Sequence, residues 1–354
     1  MARLTRVQQQ ARTRAAVLAA AREEFIEHGY AAAKVDRIAE RAELTRGAVY
    51  SNFPGKRALY LAVLVDMVGH APNVEATAAP ATAEDALARF ARAWLERLPL
   101  AGDTASGGRL QLRSLVGVID DDRDRAALAQ LARLEALLLA VGLESCGPGR
   151  RVRTAELALT LLSGAGVLAE LAPGFGDPFD RARACGHLAT LDLDDAWAPP
   201  HLPFVAPAQI VQEPLEPIDG LTDLVSGGPV DPAADGLVTV LGIERLAAAE
   251  DAVRSAARGE RVTVVIAVPF ETGDLVRLKV SDLTSCLRAV FPAGTWARLK
   301  IVLGDQRLAT VLGVADPADD TESALRVRSG TVTARGRGLG AAYAVARSGR
   351  KAAA

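Results

Sequence analysis

The segment between Lys34 and Lys56 restricts the fold more than any other part of the chain. Two short helical runs, Val35 to Ala42 and Thr45 to Ser51, are separated only by a brief turn at Glu43 and Leu44. Asn52-Phe53-Pro54-Gly55 interrupts the second run, and Lys56 opens a further helix, Arg57 to about Val68. Upstream, Arg14 to His28 reads as an amphipathic helix: Val17, Leu18, Ala21 and Phe25 share one face, Arg22, Glu23 and Glu27 lie mostly off it, and Gly29 stops it. Ile38, Ala39 and Ala42 keep the second helix thin enough for the third to cross it closely, and Val49 and Phe53 face inward to hold that third helix. This is the spacing of a helix-turn-helix.

The third helix carries chemistry suited to a polyanion. Thr45 can cap it by accepting an orphan N–H. Gly47 and Ala48, both small, occupy its first turn, where free N–H groups and a partial positive charge face outward. Gly47 lets the backbone approach DNA with no side chain in the way. Arg46 can reach a guanine edge or a phosphate, and Tyr50, one turn on, can meet a sugar or phosphate. Lys34 and Lys56 open the flanking helices beside the same backbone. The expected DNA contacts are therefore Lys34, Thr45, Arg46, Gly47, Ala48, Tyr50, Asn52 and Lys56. The competing readings are a half-buried core aromatic for Tyr50 and plain solvated cations for Arg46 and Lys56. Charge leaves both readings open: residues 1–70 hold 11 basic against 7 acidic side chains while 71–200 and 201–320 are net acidic, which points that end at a polyanion or marks Arg-rich helix faces that are merely solvated.

Residues Ile38 to Leu59 resemble the N-terminal domain of the TetR family of regulators. An Ile-Ala-x-x-Ala block, Thr45-Arg-Gly-Ala-Val-Tyr50 and an Asn52-Phe-x-x-Lys-x-x-Leu59 block stand in the family's order and spacing, and the likeness spans roughly Arg14 to Leu64. Two positions depart from the family. Glu43 replaces the usual glycine and is expected to take a left-handed conformation at roughly 1 kcal/mol. Lys34 replaces a capping threonine, at about 1 kcal/mol, partly offset by Asp36 in the first turn.

The resemblance implies that the middle of the chain senses a ligand and dimerises. Four long helical stretches fit there: Ala83–Leu98, Arg109–Ile119, Arg123–Val141 and Arg153–Leu171, followed by Pro178–Leu191. Leu157, Leu161, Gly164, Val167 and Leu171, with Phe179, suit an intersubunit four-helix bundle; the alternative is an intrachain core. A homodimer would set two recognition helices about 34 Å apart, one turn of B-DNA. Trp94, Leu98, Leu112, Leu115, Leu138 and Val141 are candidates to line a cavity for a small apolar or amphipathic effector, with core packing the competing role.

The expected architecture is mainly α. A helix-turn-helix domain (1–70) leads to a helical effector-binding and dimerisation domain (71–197), then a Pro/Gly-rich linker (198–235), a small α/β domain of unknown role (236–328) and a basic flexible tail (329–354). In the α/β part Leu237–Leu241, Arg261–Val268, Leu275–Val280, Arg298–Leu303 and Arg307–Val314 read as strands, the last two as a hairpin around Gly304-Asp305; Ile243–Arg258 and Ser281–Val290 read as helices. That domain is the place for an alternative function, as an enzyme or an assembly module. No catalytic set, cofactor motif or metal set is evident; Gly336-Arg-Gly-Leu-Gly340 lacks the Lys-Ser or Lys-Thr of a phosphate loop. Cys146, Cys185 and Cys286 are isolated, which favours a reducing cytoplasm. Neither a signal peptide nor a membrane span is expected.

Overall fold

The computed structural model describes residues 5–70, 75–98, 115, 117–172, 174–268 and 270–348. The expected helix Arg109–Ile119, with Leu112, falls largely outside them. The N-terminal unit is α1 (Arg6–Ala32), α2 (Val35–Arg41), α3 (Arg46–Asn52) and α4 (Lys56–His70). Helix α1 begins eight residues before Arg14, because Thr5 and Gln8 form a reciprocal capping box. Its regular geometry breaks at Gly29, whose φ is +67°. Two seven-residue helices cannot stand alone; buried Ile38, Ala39, Val49 and Phe53 seat them on Val17, Ala21 and Phe25 of α1 and on α4.

Four helices follow: α5 (Ala83–Leu95), α6 (Asp122–Glu144), α7 (Val152–Leu171) and α8 (Pro178–His187). Leu87, Phe90, Ala91 and Trp94 of α5 are buried as one stripe. By length and composition α6 and α7 could each cross a membrane, but 61% of the apolar window of α6 is buried inside the protein. The corresponding window of α7 is 39% buried, leaving an exposed apolar face.

The Pro/Gly-rich stretch expected to be a linker is built into the next unit. It contributes β1 (Gln209–Pro214), β2 (Leu221–Thr222) and β3 (Pro229–Val230). There follow β4 (Gly236–Leu241), α9 (Ala249–Ser255), β5 (Val262–Ala267), α10 (Phe270–Arg288), β6 (Leu299–Gly304), α11 (Gln306–Val311), β7 (Glu322–Arg328), β8 (Thr331–Arg337) and α12 (Ala341–Ser348). The main sheet runs β1-β8-β7-β4-β5-β6, with β4, β5 and β6 parallel and the β4–β7, β7–β8 and β8–β1 pairs antiparallel. Strands β4 and β5 are buried along their whole length, as a sheet covered on both faces requires. Leu237, Leu241, Val264 and Ile266 face the helical side; Val238, Val240, Val265 and Ala267 face residues 215–233 and α11. A proline-rich segment reaches the sheet because β1 is an edge strand and Pro214 ends it, where a missing N–H costs little.

Four further expectations are corrected. Leu275–Val280 lies inside α10: Arg277 and Lys279 between Val276, Leu278 and Val280 imitate a strand's alternation, but this helix is covered on several sides and needs apolar residues all around. Arg307–Val314 is no strand, because Asp305 accepts the Leu308 N–H at 2.8 Å and caps α11. The expected flexible tail is ordered through Ser348 as β8 and α12, with Val332 and Ala334 buried. Its arginines are engaged: Arg335 pairs with Glu213, Arg337 donates to Gly313 O, and Arg347 donates to the Tyr343 hydroxyl. The helix expected over Ile243–Arg258 is a 3-10 turn, Ile243–Ala248, running into the shorter α9.

One continuous core joins the three regions. It runs from Val17 in α1 through α4, α5 and α6 to Leu287, Phe291 and Val345. Helix α10 is the strut. It packs along α4, and its Lys279 meets Glu135 of α6 at 3.1 Å. Arg97, just past α5, donates to Asp282 Oδ1 at 2.6 Å. Beyond the end of α10, the Phe291 ring lies where a side chain on Gly142 of α6 would stand, 2.7 Å from an added Cβ.

Candidate nucleic-acid interface

Helix α3 is formed and aimed by short-range devices. Ala39 O accepts the Leu44 N–H and Glu40 O accepts the Glu43 N–H, closing α2 through a left-handed residue. That residue is Glu43, with φ +55°. Thr45 Oγ1 accepts the Ala48 N–H at 3.2 Å and caps α3. Arg46, Gly47 and Tyr50 are then exposed together. Among the described residues a Cβ at Gly47 would meet only Thr45 Oγ1, at 3.8 Å, so none of them demands glycine there.

Arg46 is held ready between two partners. Its Nη1 lies 3.2 Å from Asp36 Oδ1, and its guanidinium stands 5.4 Å from the Tyr50 ring centre. Binding phosphate or a base edge requires exchanging Asp36 for the new acceptor while Tyr50 continues to orient the plane.

The remaining expected contacts are placed differently. Asn52 Nδ2 turns back to donate to Ala48 O at 2.9 Å, and its own carbonyl accepts from Arg14. Arg14 also stacks on Phe53, 4.3 Å from the ring centre. Lys56 Nζ donates to Ala31 O at 3.1 Å and sits 4.7 Å from the Tyr30 ring centre, sealing the end of α1. Asn52 thus ties the end of α3 to α1, and Lys56 ties the start of α4 to the end of α1. Lys34 is exposed at the start of α2 with no side-chain cap.

Glu24 is the residue that sequence reasoning missed. It is fully buried, and its Oε1 accepts the Lys34 N–H at 3.1 Å, the donor that a capping box satisfies with the third residue of its own helix; here the carboxylate comes from ten residues upstream and leaves the first-turn N–H groups of α2 without a side-chain acceptor. Its Oε2 lies 3.5 Å from Arg41, which also grips Glu27. A threonine at position 34 would add the second acceptor that the helix lacks. Lys34→Thr is expected to stabilise the protein by about 1 kcal/mol, read from the urea midpoint. No shift would mean that the first-turn N–H groups of α2 lose nothing by facing water.

Two groups of acidic and histidine ligands cluster among the described residues, Glu24/Glu27/His28 and Asp120/Asp121/Asp124. Both are engaged within the chain: Glu24 and Glu27 on Arg41, Asp124 on Arg57 at 2.7 Å, and Asp121 as the cap of α6.

Of the six residues expected around an effector, the five described ones, Leu112 lying outside them, do not gather at one cavity. Trp94 lines a space of about 480 Å³ with Glu135 of α6 and Glu156, Leu159 and Thr160 of α7. Leu138 is fully buried in the core, and Leu98, Leu115 and Val141 are half-buried. Leu157, Val167, Leu171 and Phe179 are exposed, joined by Leu168 and Phe175. Gly164 is exposed there too, with nothing within 4 Å of an added Cβ, while Leu161 is half-buried.

The glycine-rich turn at Gly336–Gly340 is filled from within. Glu322 Oε1 accepts the Gly340 and Ala341 N–H groups at 2.6 and 3.2 Å, where a phosphate would have to sit, and its other oxygen meets Arg245. Of the cysteines, burial pushes the Cys185 thiol up to about 12, which leaves it inert.

A capped, glycine-bearing helix presenting an arginine and a tyrosine across a tight turn from α2 defines a helix-turn-helix DNA-binding domain. Residues 17–63 match the family described as bacterial regulatory proteins, tetR family, and this N-terminal domain belongs to it. The HTH-type transcriptional activator FasR of Mycolicibacterium smegmatis is 47% identical over 51 residues, 14% of this chain and 23% of that protein. The chain therefore spans about a quarter of the relative's length. Among solved structures, a TetR transcriptional regulator from Rhodococcus sp. RHA1 shares 19% identity over 52% of this chain and 99% of its own, with a TM-score of 0.34. FadR from Bacillus subtilis, in complex with stearoyl-CoA, shares 19% identity over 50% and 97%, also at 0.34.

Proposed function

We propose that this protein is a cytoplasmic, homodimeric transcriptional regulator that reads an operator with α3 and releases it when a small molecule binds. The observation that carries this reading is the exposed first turn of α3, with Thr45 capping it and Arg46 and Tyr50 side by side. Phosphate approaches the N–H groups over Gly47, and Arg46 exchanges Asp36 for a base edge. The exposed apolar face of α7 and Phe179 of α8 serve as the dimer seam, setting the two reading helices one DNA turn apart. The cavity beside Trp94 offers apolar walls with Glu135, Glu156 and Thr160, fitting an amphipathic effector.

A dimer sitting on a promoter represses by occlusion. Activation is the second reading, favoured by the similarity to FasR of Mycolicibacterium smegmatis, a transcriptional activator. A reporter driven by the protein's own upstream region, with and without the protein, separates the two. The test of the core claim is fluorescence anisotropy on that upstream DNA against an unrelated duplex across a salt titration. Preference for the first that weakens with salt supports the reading; equal weak binding to both overturns it for that DNA.

Gly47 yields a prediction of opposite signs. Gly47→Ala is expected to stabilise the protein by about 0.5–1 kcal/mol, since the site accepts a Cβ and alanine suits a helix. The same methyl group stands between backbone and phosphate, so operator affinity should fall. Thermal melting and anisotropy on one preparation check both; unchanged affinity would remove Gly47 from the interface.

A further inference from the structure

Buried carboxylates in this chain are partnered. Glu24, Asp124, Glu135, Asp223 and Glu322 each meet a cation. Asp274, on α10, is the exception: it is half-buried, yet among the described residues it makes no hydrogen bond or ion pair. Burial raises its carboxyl above the usual carboxylate range, and the charges of Arg277 and Arg14 draw it partly back. Arg277, one turn further along the same helix, is exposed and equally without a hydrogen bond or ion pair.

Both side chains border one cavity of about 420 Å³. It opens at the C-terminal ends of the parallel strands β5 and β6, over Ala267, Val268, Leu303 and Pro317, with Asp305, the cap of α11, and Gln306 also lining it. Crevices outside the carboxyl ends of parallel strands are where open α/β sheets take ligands. A carboxylate and a guanidinium three residues apart, neither in a hydrogen bond or ion pair with another described residue, beside the apolar Val268, Leu303 and Pro317, are complementary to a molecule carrying both charges and a hydrocarbon group.

We propose that this cavity binds a small zwitterion of the α-amino-acid class with an apolar side chain. Its ammonium meets Asp274, its carboxylate meets Arg277, and its side chain rests on Val268 and Leu303. The site is distinct from the cavity beside Trp94. Resting on the regulator reading, occupancy also reaches the DNA-binding domain: α10 packs along α4, and Arg14, whose charge acts on Asp274, holds Asn52 O and Phe53 at the end of α3.

The test is calorimetric titration of the full chain, without DNA, using L-valine, L-leucine and L-phenylalanine. The one-ended analogues of leucine, isoamylamine and 4-methylvalerate, are run beside them. At least one amino acid is expected to bind, and both analogues should bind more weakly than leucine if leucine is that ligand. Asp274→Asn and Arg277→Gln should each weaken the amino acid by about 10- to 100-fold, the value of a hydrogen bond to a charged group, with the melting temperature little changed. No binding of the three amino acids at millimolar concentration overturns the proposal. So does an amine that binds as well as leucine, or binding that survives both substitutions. Anisotropy with the binding amino acid then tests the coupling alone: a shift in DNA affinity supports it, and an unchanged affinity with binding intact removes it while leaving the site.

Discussion

Replacing Arg46 and Tyr50 together with alanine is expected to cost specific DNA binding roughly 100-fold or more, with folding unaffected. A good base-edge contact is worth about 1–3 kcal/mol; removing Tyr50 as well takes away the ring that orients the guanidinium. Neither side chain contributes to the core. Both are exposed on α3, and their partners are each other and surface Asp36. Anisotropy should therefore lose the difference between upstream DNA and competitor, while circular dichroism and the melting temperature stay as they were. Operator affinity within a few-fold of the parent protein would move recognition away from α3.

Truncating Phe291 to alanine should destabilise the whole chain by about 3–5 kcal/mol, the usual cost of removing a buried aromatic ring. Phe291 is 1% exposed, packs edge-on against Trp296 at 6.0 Å and fills the space beside Gly142. It belongs to the same core as α4, so the helix-turn-helix should lose stability in the same transition as the sheet. Urea unfolding followed by tryptophan fluorescence and by hydrogen exchange of the α4 amides tests this. If the α4 amides open at the parent's denaturant concentration while the fluorescence transition shifts, the core is shared in space but not in cooperativity.

The helix-turn-helix was legible because its determinants are local. Thr45 caps a helix three residues away, and Glu43 adopts the left-handed turn that its position demands. Glu24 was not legible: a carboxylate in an amphipathic helix reads as surface until the tertiary fold sets it under the start of α2. Helices α5 to α8 are visible from periodicity, whereas α10 reads as a strand followed by a helix because neighbours on several sides erase its amphipathic pattern. Residues 329–348 looked loose from their glycines and arginines. The alternation of Val332 and Ala334 with Thr333 and Arg335 was present, but only pairing between β1 and β7 turns it into a strand. The cavity at Asp274 needs β5, β6 and α10 assembled, so no local window contains it.

The strut formed by α10 also sets an order of events during synthesis. Helix α4 leaves the ribosome about 200 residues before the helix that covers its flank. At roughly 5–20 residues per second, that interval is on the order of ten to forty seconds. Throughout it, the nascent DNA-binding domain carries a complete reading helix on an apolar flank still open to water, so the young chain depends on chaperones, or on its own transient collapse, until its last third arrives.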